Sequence, residues 1–393
     1  MDRCEVLIVG AGPAGSACAR HLTRAGLDVA MLERHSFPRD KVCGGWVTPA
    51  VLEQMEIDPA DYARGRVLQP ITGFRVGLMG RAGKDVEYQR VISYGIRRCE
   101  FDEYLARRSG ARLIEGAALE SLERAGDEWV VNNRIRARLL IGAGGHFCPV
   151  ARRLGANARS EVAVAAQEIE FEMDGAQQAQ CAVRAEVPEL FFCGDLRGYG
   201  WAFRKGNFLN VGLGRLSEQR LGSHVQSFAA FLRAAGRIGF DLLPRMKGHA
   251  YLLYSDRRRE VLGDGVLLIG DAAGLAYSQS GEGIRPAIES GLLAAETALQ
   301  ANGDYSREQL EPYRARLGRV FGDAQKNWAS AVGRMLPPRV IRALAGALVG
   351  SRSFARRVIL DRWFLHLDEP PLIARSGHTP PREVLRPTQV HSA

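Results

Sequence analysis

Three short runs of consecutive apolar residues recur along the chain, and each run ends at glycines. They occupy positions 6–9, 139–141 and 266–269. Continuous apolar runs of this length are typical of strands that are buried on both faces, as in a parallel sheet. We therefore predict that these distant segments are neighbours in one sheet, which is interrupted in sequence by a second group of elements.

The first run continues into a glycine-rich turn and an amphipathic helix. Glycines stand at 10, 12 and 15, a helical spacing of small and apolar residues follows until Gly26, and a second strand at 27–32 ends at Glu33. In such a unit the first glycine permits a tight turn, the second lets a pyrophosphate approach the backbone, and the third lets helix and strand pack closely. Glu33 is placed to accept hydrogen bonds from ribose hydroxyls. The pattern predicts a dinucleotide site.

The remaining pattern divides into sheet-rich and helical parts. Residues 66–94 and 159–256 predict mainly strands, including a hairpin of 199–203 with 208–213, and a helix at 225–235. Helices are predicted to begin within the stretch 96–102 and run to about 109, to begin near Pro286, and to occupy 305–366. We expect an α/β fold with this organisation: a discontinuous Rossmann-like cofactor domain (1–65, 95–158, 257–303), an inserted β-sheet substrate lobe (66–94, 159–256), a helical C-terminal region (304–368) and an irregular tail (369–393).

Composition narrows the class of protein. The chain has 393 residues, 46% of them apolar, and no run long enough to span a bilayer. Asp2 and Glu5 precede the first strand, which argues against a signal peptide. Seven cysteines without a CxxC pair favour a reducing, cytoplasmic setting and give no zinc or disulfide pattern. The net charge of +9 is dispersed, so we expect no nucleic-acid partner and no metal, whereas peripheral contact with an anionic membrane is an alternative to a plain solvated surface.

A carboxylate at the end of the third run identifies the dinucleotide. Asp271 would lie beside the pyrophosphate, where it can accept hydrogen bonds from a polyol, and a flavin's ribityl chain is such a polyol. Backbone N–H groups of the 281–284 loop would then face the flavin ring, and Arg98 would pair with a phosphate. The sequence therefore predicts FAD. The predicted cofactor-binding residues are Gly10, Gly12, Ala14, Gly15, Glu33, Arg34, Arg98, Gly144, Gly270, Asp271, Gly281, Gly283 and Ile284.

These motifs resemble FAD-dependent enzymes with the para-hydroxybenzoate hydroxylase fold, and within them most closely the geranylgeranyl reductase family. The matching stretches are Lys41-Val42-Cys43-Gly44-Gly45, Arg98-Cys99-Glu100-Phe101-Asp102, Gly270 to Gly274, Gly281 to Ile284, and Tyr199 to Gly214. The resemblance implies that Cys43, Gly44 and Gly45 form a catalytic loop at the flavin face. It also implies a substrate cavity lined by Tyr199, Trp201 and Phe203, and we add Trp46 to that wall.

The chain departs from the hydroxylases at one informative point. Their middle strand ends in Asp-Gly, where the Asp helps to bind FAD and NAD(P)H, but here Gly144-Gly145 follows. This departure puts direct hydroxylase-type use of NAD(P)H in doubt, so the electron donor is either NAD(P)H or a separate reductase or ferredoxin. Three further interpretations stay open. Cys43 is either a site residue or a small buried hydrophobe, Trp201 and Phe203 form either a substrate wall or ordinary core packing, and Glu282 is either a proton relay or a salt-bridge partner.

We expect reduction of carbon–carbon double bonds in an isoprenoid-like lipid, with hydride from the flavin and a proton from a separate donor. One alternative is a monooxygenase that hydroxylates an aromatic or apolar substrate through a C4a-hydroperoxide. Another is a flavoprotein that modifies a partner protein, which stable co-purification of that partner would indicate.

Overall fold

The computed structural model describes residues 1–156, 161–216, 221–242, 246–256, 259–322 and 348–367. The tail predicted at 369–393 lies outside these residues, and so does the part of the predicted C-terminal helical region at 323–347.

The strands fall into three sheets. In chain order they are β1 (Asp2–Val9), β2 (Val29–Leu32), β3 (Trp46–Val47), β4 (Leu68–Ile71), β5 (Gly73–Leu78), β6 (Lys84–Glu87), β7 (Ser93–Ile96), β8 (Arg112–Ile114), β9 (Leu122–Ala125), β10 (Glu128–Val131), β11 (Ile135–Gly142), β12 (Val164–Glu172), β13 (Glu189–Phe192), β14 (Gly198–Lys205), β15 (Phe208–Leu216), β16 (Lys247–Tyr251), β17 (Leu262–Gly263) and β18 (Val266–Leu268).

The helices flank the sheets. They are α1 (Pro13–Arg24), α2 (Pro49–Gln54), α3 (Pro59–Tyr62), α4 (Arg98–Arg107), α5 (Pro149–Arg153), α6 (Gly175–Ala179), α7 (Leu221–Ala234), α8 (Ile284–Gln300), α9 (Arg307–Leu310), α10 (Pro312–Phe321) and α11 (Arg352–Phe354), which runs into a π-helix at Ala355–Phe364.

The first sheet joins the three apolar runs, as the sequence predicts. Its parallel centre has the order β18-β11-β1-β2-β8, and β17, β9 and β10 extend it by antiparallel pairing. Helix α1 packs against α8 so closely that a Cβ on Gly291 would overlap the carbonyl oxygen of Ala14. The glycine turn, Glu33 and Asp271 therefore meet at the carboxyl edge of one sheet, which is where ligands bind in open α/β sheets.

The second sheet has seven strands in the order β16-β12-β15-β14-β13-β5-β6. The predicted hairpin is confirmed as β14 and β15, which pair antiparallel with Trp201 opposite Gly212. A Cβ on Gly212 would overlap the Trp201 indole, so the glycine leaves room for that ring to lie flat on the sheet. Strand β5 joins this sheet through parallel pairing with β13, although more than 100 residues separate them.

The segment 348–367 lies mainly against the seven-stranded sheet. Ile359, Leu360 and Phe364 are buried in the same apolar cluster as Trp46 and Phe74. Tyr88 of the sheet lobe donates a hydrogen bond to Asp361 at 2.6 Å. The large apolar side chains of this described segment therefore pack on the seven-stranded sheet.

Candidate functional site

A cavity of about 600 Å³ lies between the carboxyl edge of the first sheet and one face of the second. Its lining includes both the glycine turn after β1 and the aromatic side chains of β14. Of the predicted cofactor residues, those that line it are Gly10, Gly12, Ala14, Glu33, Arg34, Arg98, Gly144, Asp271, Gly281, Gly283 and Ile284. Gly15 and Gly270 lie behind the wall, where they permit close packing.

The glycine turn presents open backbone donors to the cavity. Gly12 is the N-cap of α1 and supplies no capping side chain, so the first N–H groups of the helix have no side-chain partner, and Gly12 and Ala14 line the cavity. Gly10 has φ = 112°, and a Cβ there would lie 2.5 Å from the carbonyl oxygen of Ala143. Glu33 accepts a hydrogen bond from the Ala11 N–H at 3.1 Å. Unpaired helix N–H groups suit a pyrophosphate, and the adjacent carboxylate suits ribose hydroxyls, so the residues fit FAD.

Arg98 belongs to a buried ion cluster. Its Nε and Nη2 donate to the two Asp102 carboxylate oxygens at 2.8 and 2.9 Å, and Arg39 donates to the same carboxylate at 2.9 Å. Burial alone would raise the pKa of Asp102, but pairing with Arg98 and Arg39 lowers it below 3.8. Asp102 therefore fixes the guanidinium of Arg98, which the sequence assigned to a phosphate. The ion pair with Asp102 uses Nε and Nη2 of Arg98 and leaves Nη1 for another partner.

Lys41 and His249 lie beside Asp271. The sequence predicted Asp271 as a cofactor-binding residue but did not predict these two neighbours. Lys41 Nζ lies 2.6 Å from His249 Nε2, and the same nitrogen lies 3.4 Å from Asp271 Oδ2. Because both contacts use Nε2, a neutral His249 can accept from Lys41 or donate to Asp271, but not both. Burial lowers the pKa of Lys41 to about 8. Burial alone would raise the pKa of Asp271, but the hydrogen bond from His249 and the charge of Lys41 lower it to about 2.

The loop Cys43-Gly44-Gly45 lies on the aromatic face of the second sheet. A Cβ on Gly44 would be 3.5 Å from both Trp201 and Phe203, so its backbone packs directly on these rings. Asn210 ties the loop to the sheet, because its Nδ2 donates to the Cys43 carbonyl at 3.1 Å and its Oδ1 accepts from Trp201 Nε1 at 2.7 Å. Gly45 faces away from the cavity, against Lys205 and the Ile96 carbonyl.

The aromatic wall agrees with the alternation of the sequence. Tyr199, Trp201 and Phe203 occupy every second position of β14, and all three line the cavity together with Trp46. Tyr199 donates to the Ser280 carbonyl at 2.6 Å, which fixes its ring. Phe364 packs behind this wall, with ring centroids 6.1 Å from Trp46 and 5.4 Å from Tyr199.

We expect Asn210→Ala to lower the free energy of unfolding by about 2–3 kcal/mol, because it leaves the Cys43 carbonyl and the Trp201 N–H buried without partners. Urea denaturation measures this cost. Asn207→Ala, at the exposed turn of the same hairpin, should cost less than about 0.5 kcal/mol. Equal losses in the two variants would contradict the anchoring role of Asn210.

All seven cysteines are described, and all are free thiols. Over the described ranges, no cluster of three or more His, Cys, Asp or Glu side chains has the arrangement of a metal site. The helices in those ranges also lack the combined length and apolar character that a membrane span requires.

Comparison with known proteins identifies the family. The FAD binding domain family matches residues 3–323. Menaquinone reductase of Mycobacterium tuberculosis is 33% identical over 352 residues, covering 83% of each chain. Digeranylgeranylglycerophospholipid reductase 2 of Methanosphaera stadtmanae is 28% identical over 351 residues, covering 84% of this chain and 87% of its own.

Solved structures share the fold. A geranylgeranyl bacteriochlorophyll reductase-like protein of Thermoplasma acidophilum superposes with a TM-score of 0.74 at 21% identity, over 95% of this chain and all of the other. A probable FAD-dependent monooxygenase of Pseudomonas aeruginosa gives a TM-score of 0.61 at 19% identity, over 90% of this chain and 99% of its own. With the sequence relatives, these findings establish that the chain belongs to the FAD binding domain family and is an FAD-dependent oxidoreductase of the geranylgeranyl reductase type.

Proposed function

We propose that this protein reduces carbon–carbon double bonds in the prenyl chain of a lipid or quinone. The observation that carries the proposal is that a dinucleotide turn and an aromatic wall line the same cavity. The names of the relatives, which include a menaquinone reductase and digeranylgeranylglycerophospholipid reductases, support a substrate with a long apolar tail. We assign the seven-stranded sheet and its connections to substrate binding, as the predicted division of domains has it.

In this proposal the chain holds FAD by its first sheet. Backbone N–H groups around Gly12 bind the pyrophosphate, Glu33 binds a ribose, Asp271 binds the ribityl chain, and Arg98 contacts a phosphate through Nη1. Lys41 and His249 keep Asp271 charged, so that it acts as an acceptor. The bound FAD supplies hydride chemistry. Tyr199, Trp201, Phe203 and Trp46 exclude water and hold the double bond.

The test is a single turnover without oxygen. FAD-loaded protein is reduced with dithionite and mixed with a prenylated quinone, a geranylgeranylated glycerophospholipid or geranylgeranyl diphosphate. We expect flavin reoxidation with at least one of them, and a product whose chain has gained two hydrogen atoms for each double bond reduced. Mass spectrometry after reoxidation of any quinol separates chain reduction from reduction of the quinone ring.

The fully saturated analogue of each compound is the matched control and should leave the flavin reduced. If the saturated quinone reoxidised the flavin and the other compounds did not, the proposal would be contradicted, because only the quinone ring of that analogue can accept electrons. Mixing the reduced protein with oxygen tests the monooxygenase: a transient C4a-adduct spectrum would favour that alternative. If the flavoprotein modified a co-purifying protein and turned over no lipid, the result would favour the remaining alternative, a flavoprotein that modifies a partner protein.

The electron donor and the surroundings of the enzyme are further parts of the proposal. NADH, NADPH and reduced ferredoxin are compared as reductants of the bound FAD in the same apparatus. Cytoplasmic location with peripheral contact to a membrane stays a prediction. Its support in the described C-terminal segment is a set of exposed cations at Arg352, Arg356, Arg357 and Arg362.

A further inference from the structure

Among the described residues, four carboxyl side chains line the cavity, and one of them differs from the rest. Glu33 pairs with Arg39 at 3.3 Å, Asp40 pairs with Lys247, and Asp271 contacts His249 at 3.4 Å. Glu282 forms no ion pair with any described side chain. Its Oε1 instead accepts a hydrogen bond from the Arg285 backbone N–H, at 2.8 Å, in the first turn of α8.

The backbone holds Glu282 firmly at the cavity wall. Its N–H donates to Ser280 Oγ at 3.2 Å, and its carbonyl accepts from the Tyr277 N–H at 3.0 Å. Gly281 has φ = 69°, which turns the chain sharply before Glu282. Tyr199 is bonded to the Ser280 carbonyl, so the carboxyl lies beside the aromatic wall that we assign to the substrate.

The environment of Glu282 sets its protonation. Burial raises the pKa of its carboxyl to about 7, against the opposing effect of the backbone N–H groups of α8. The charged groups that act on it are Glu289, which raises the pKa further, and Arg285, which lowers it, while the phenol of Tyr199 lies close enough to be affected by it. A carboxyl of this kind is part protonated at neutral pH, which is the condition for an efficient general acid.

The other carboxyl and phenol groups of this region are poorer donors. Asp271 stays ionised, with a pKa of about 2. Burial raises the pKa of Tyr199 and Tyr251 well above the usual value of 10, and the Tyr199 proton is already donated to Ser280. Burial also raises the pKa of Glu168 to about 7, but Glu168 lies behind the cavity wall, where it accepts from Asn210 at 3.3 Å.

We propose that Glu282 is the catalytic acid that protonates one carbon of the double bond. As that C–H bond forms from the π electrons, the O–H pair stays on the Glu282 carboxylate. The other carbon takes hydride from the reduced flavin, which is left oxidised, and solvent returns a proton to the carboxylate. This inference rests on the proposed reduction of a double bond.

The kinetic test uses reduced, FAD-loaded protein and the prenyl substrate found above. In the wild type, the rate of flavin reoxidation should fall about tenfold per pH unit above pH of about 7. Glu282→Gln should lower this rate at neutral pH by about 100-fold or more and abolish the pH inflection. Glu282→Asp restores a titrating carboxyl and should restore an inflection. The matched control is Glu168→Gln, which should keep the wild-type inflection.

A second readout does not depend on turnover. The infrared difference spectrum of the FAD-loaded protein, taken between acid and alkaline solution, should contain protonated-carboxyl components of both Glu282 and Glu168. Glu282→Gln should remove one component and leave the other, and Glu168→Gln should do the reverse. An unchanged spectrum, or a Glu282→Gln protein with the wild-type rate and inflection, overturns the role of Glu282 alone. A wild-type protein that reduces no prenyl double bond overturns the proposed function, and this role with it.

Discussion

Replacing Asp102 by alanine is expected to lower the free energy of unfolding by about 3–5 kcal/mol. The carboxylate is fully buried and receives hydrogen bonds from both Arg98 and Arg39. Without it, the guanidinium of Arg98 stays buried without its counterion, and removing one partner of a buried pair costs this much. Urea denaturation at neutral pH measures the loss, and the flavin content of the purified protein should fall in parallel because Arg98 lines the cavity.

The pH dependence gives a second check on the same residue. The pKa of Asp102 is lower in the folded protein than its usual 3.8, so its stabilising contribution is present above that pH and is lost as the pH falls through the folded value. The difference in stability between wild type and variant should therefore shrink in strongly acid solution. Glu103→Ala is the control, since Glu103 only approaches Arg107 at 3.6 Å on the surface and should cost about 0–1 kcal/mol. Comparable losses of stability in Asp102→Ala and Glu103→Ala would contradict the stabilising role of the buried ion cluster.

Gly15→Ala is expected to destabilise the protein by about 3 kcal/mol and to yield it largely free of FAD. At this position α1 crosses β1, and a Cβ would overlap the carbonyl oxygen of Gly10 and lie 3.2 Å from Ile8. Backbone atoms cannot rotate away, so the helix must move off the strand, and the turn at Gly12 moves with it. Thermal unfolding and the ratio of flavin to protein absorbance measure the two effects.

Gly318→Ala provides the matched control within α10, because a Cβ there meets no atom within 4 Å. Alanine favours a helix interior over glycine, so this variant should be unchanged or more stable by about 0.5–1 kcal/mol and should bind FAD as the wild type does. A Gly15→Ala protein that keeps its FAD and its stability would show that the helix and strand can separate without harm.

Much of the framework was predictable because its signals are local. Each central strand of the first sheet is a continuous apolar run that ends in glycines, and three such runs with a shared chemistry imply a shared sheet edge. The side chains at 199, 201 and 203 alternate along one strand, so their common face follows from the geometry of any strand.

The features of the site that could not be predicted from the sequence are contacts between distant segments. Strand β16 has no clear alternation and forms by pairing with β12, so nothing local indicated that His249 would meet Lys41. Asn210 reaches Cys43 across 167 positions, a contact without a sequence signature. Arg98 and Asp102 are different: they are four residues apart on one helix, and that spacing could have indicated their ion pair.

The order of strands in the first sheet also bears on how the protein is made. Strand β1 leaves the ribosome early, yet its neighbour β11 follows more than 120 residues later, and β18 pairs with β11 only after Val266 has been synthesised. Until then the nascent chain lacks Asp271, Glu282 and the α8 helix that covers α1. The glycine turn therefore stays incompletely packed until α8 has been synthesised, and pairings of such long range form slowly. A complete FAD site forms only after that point, and until then the unpaired apolar strands of the nascent chain need protection from aggregation.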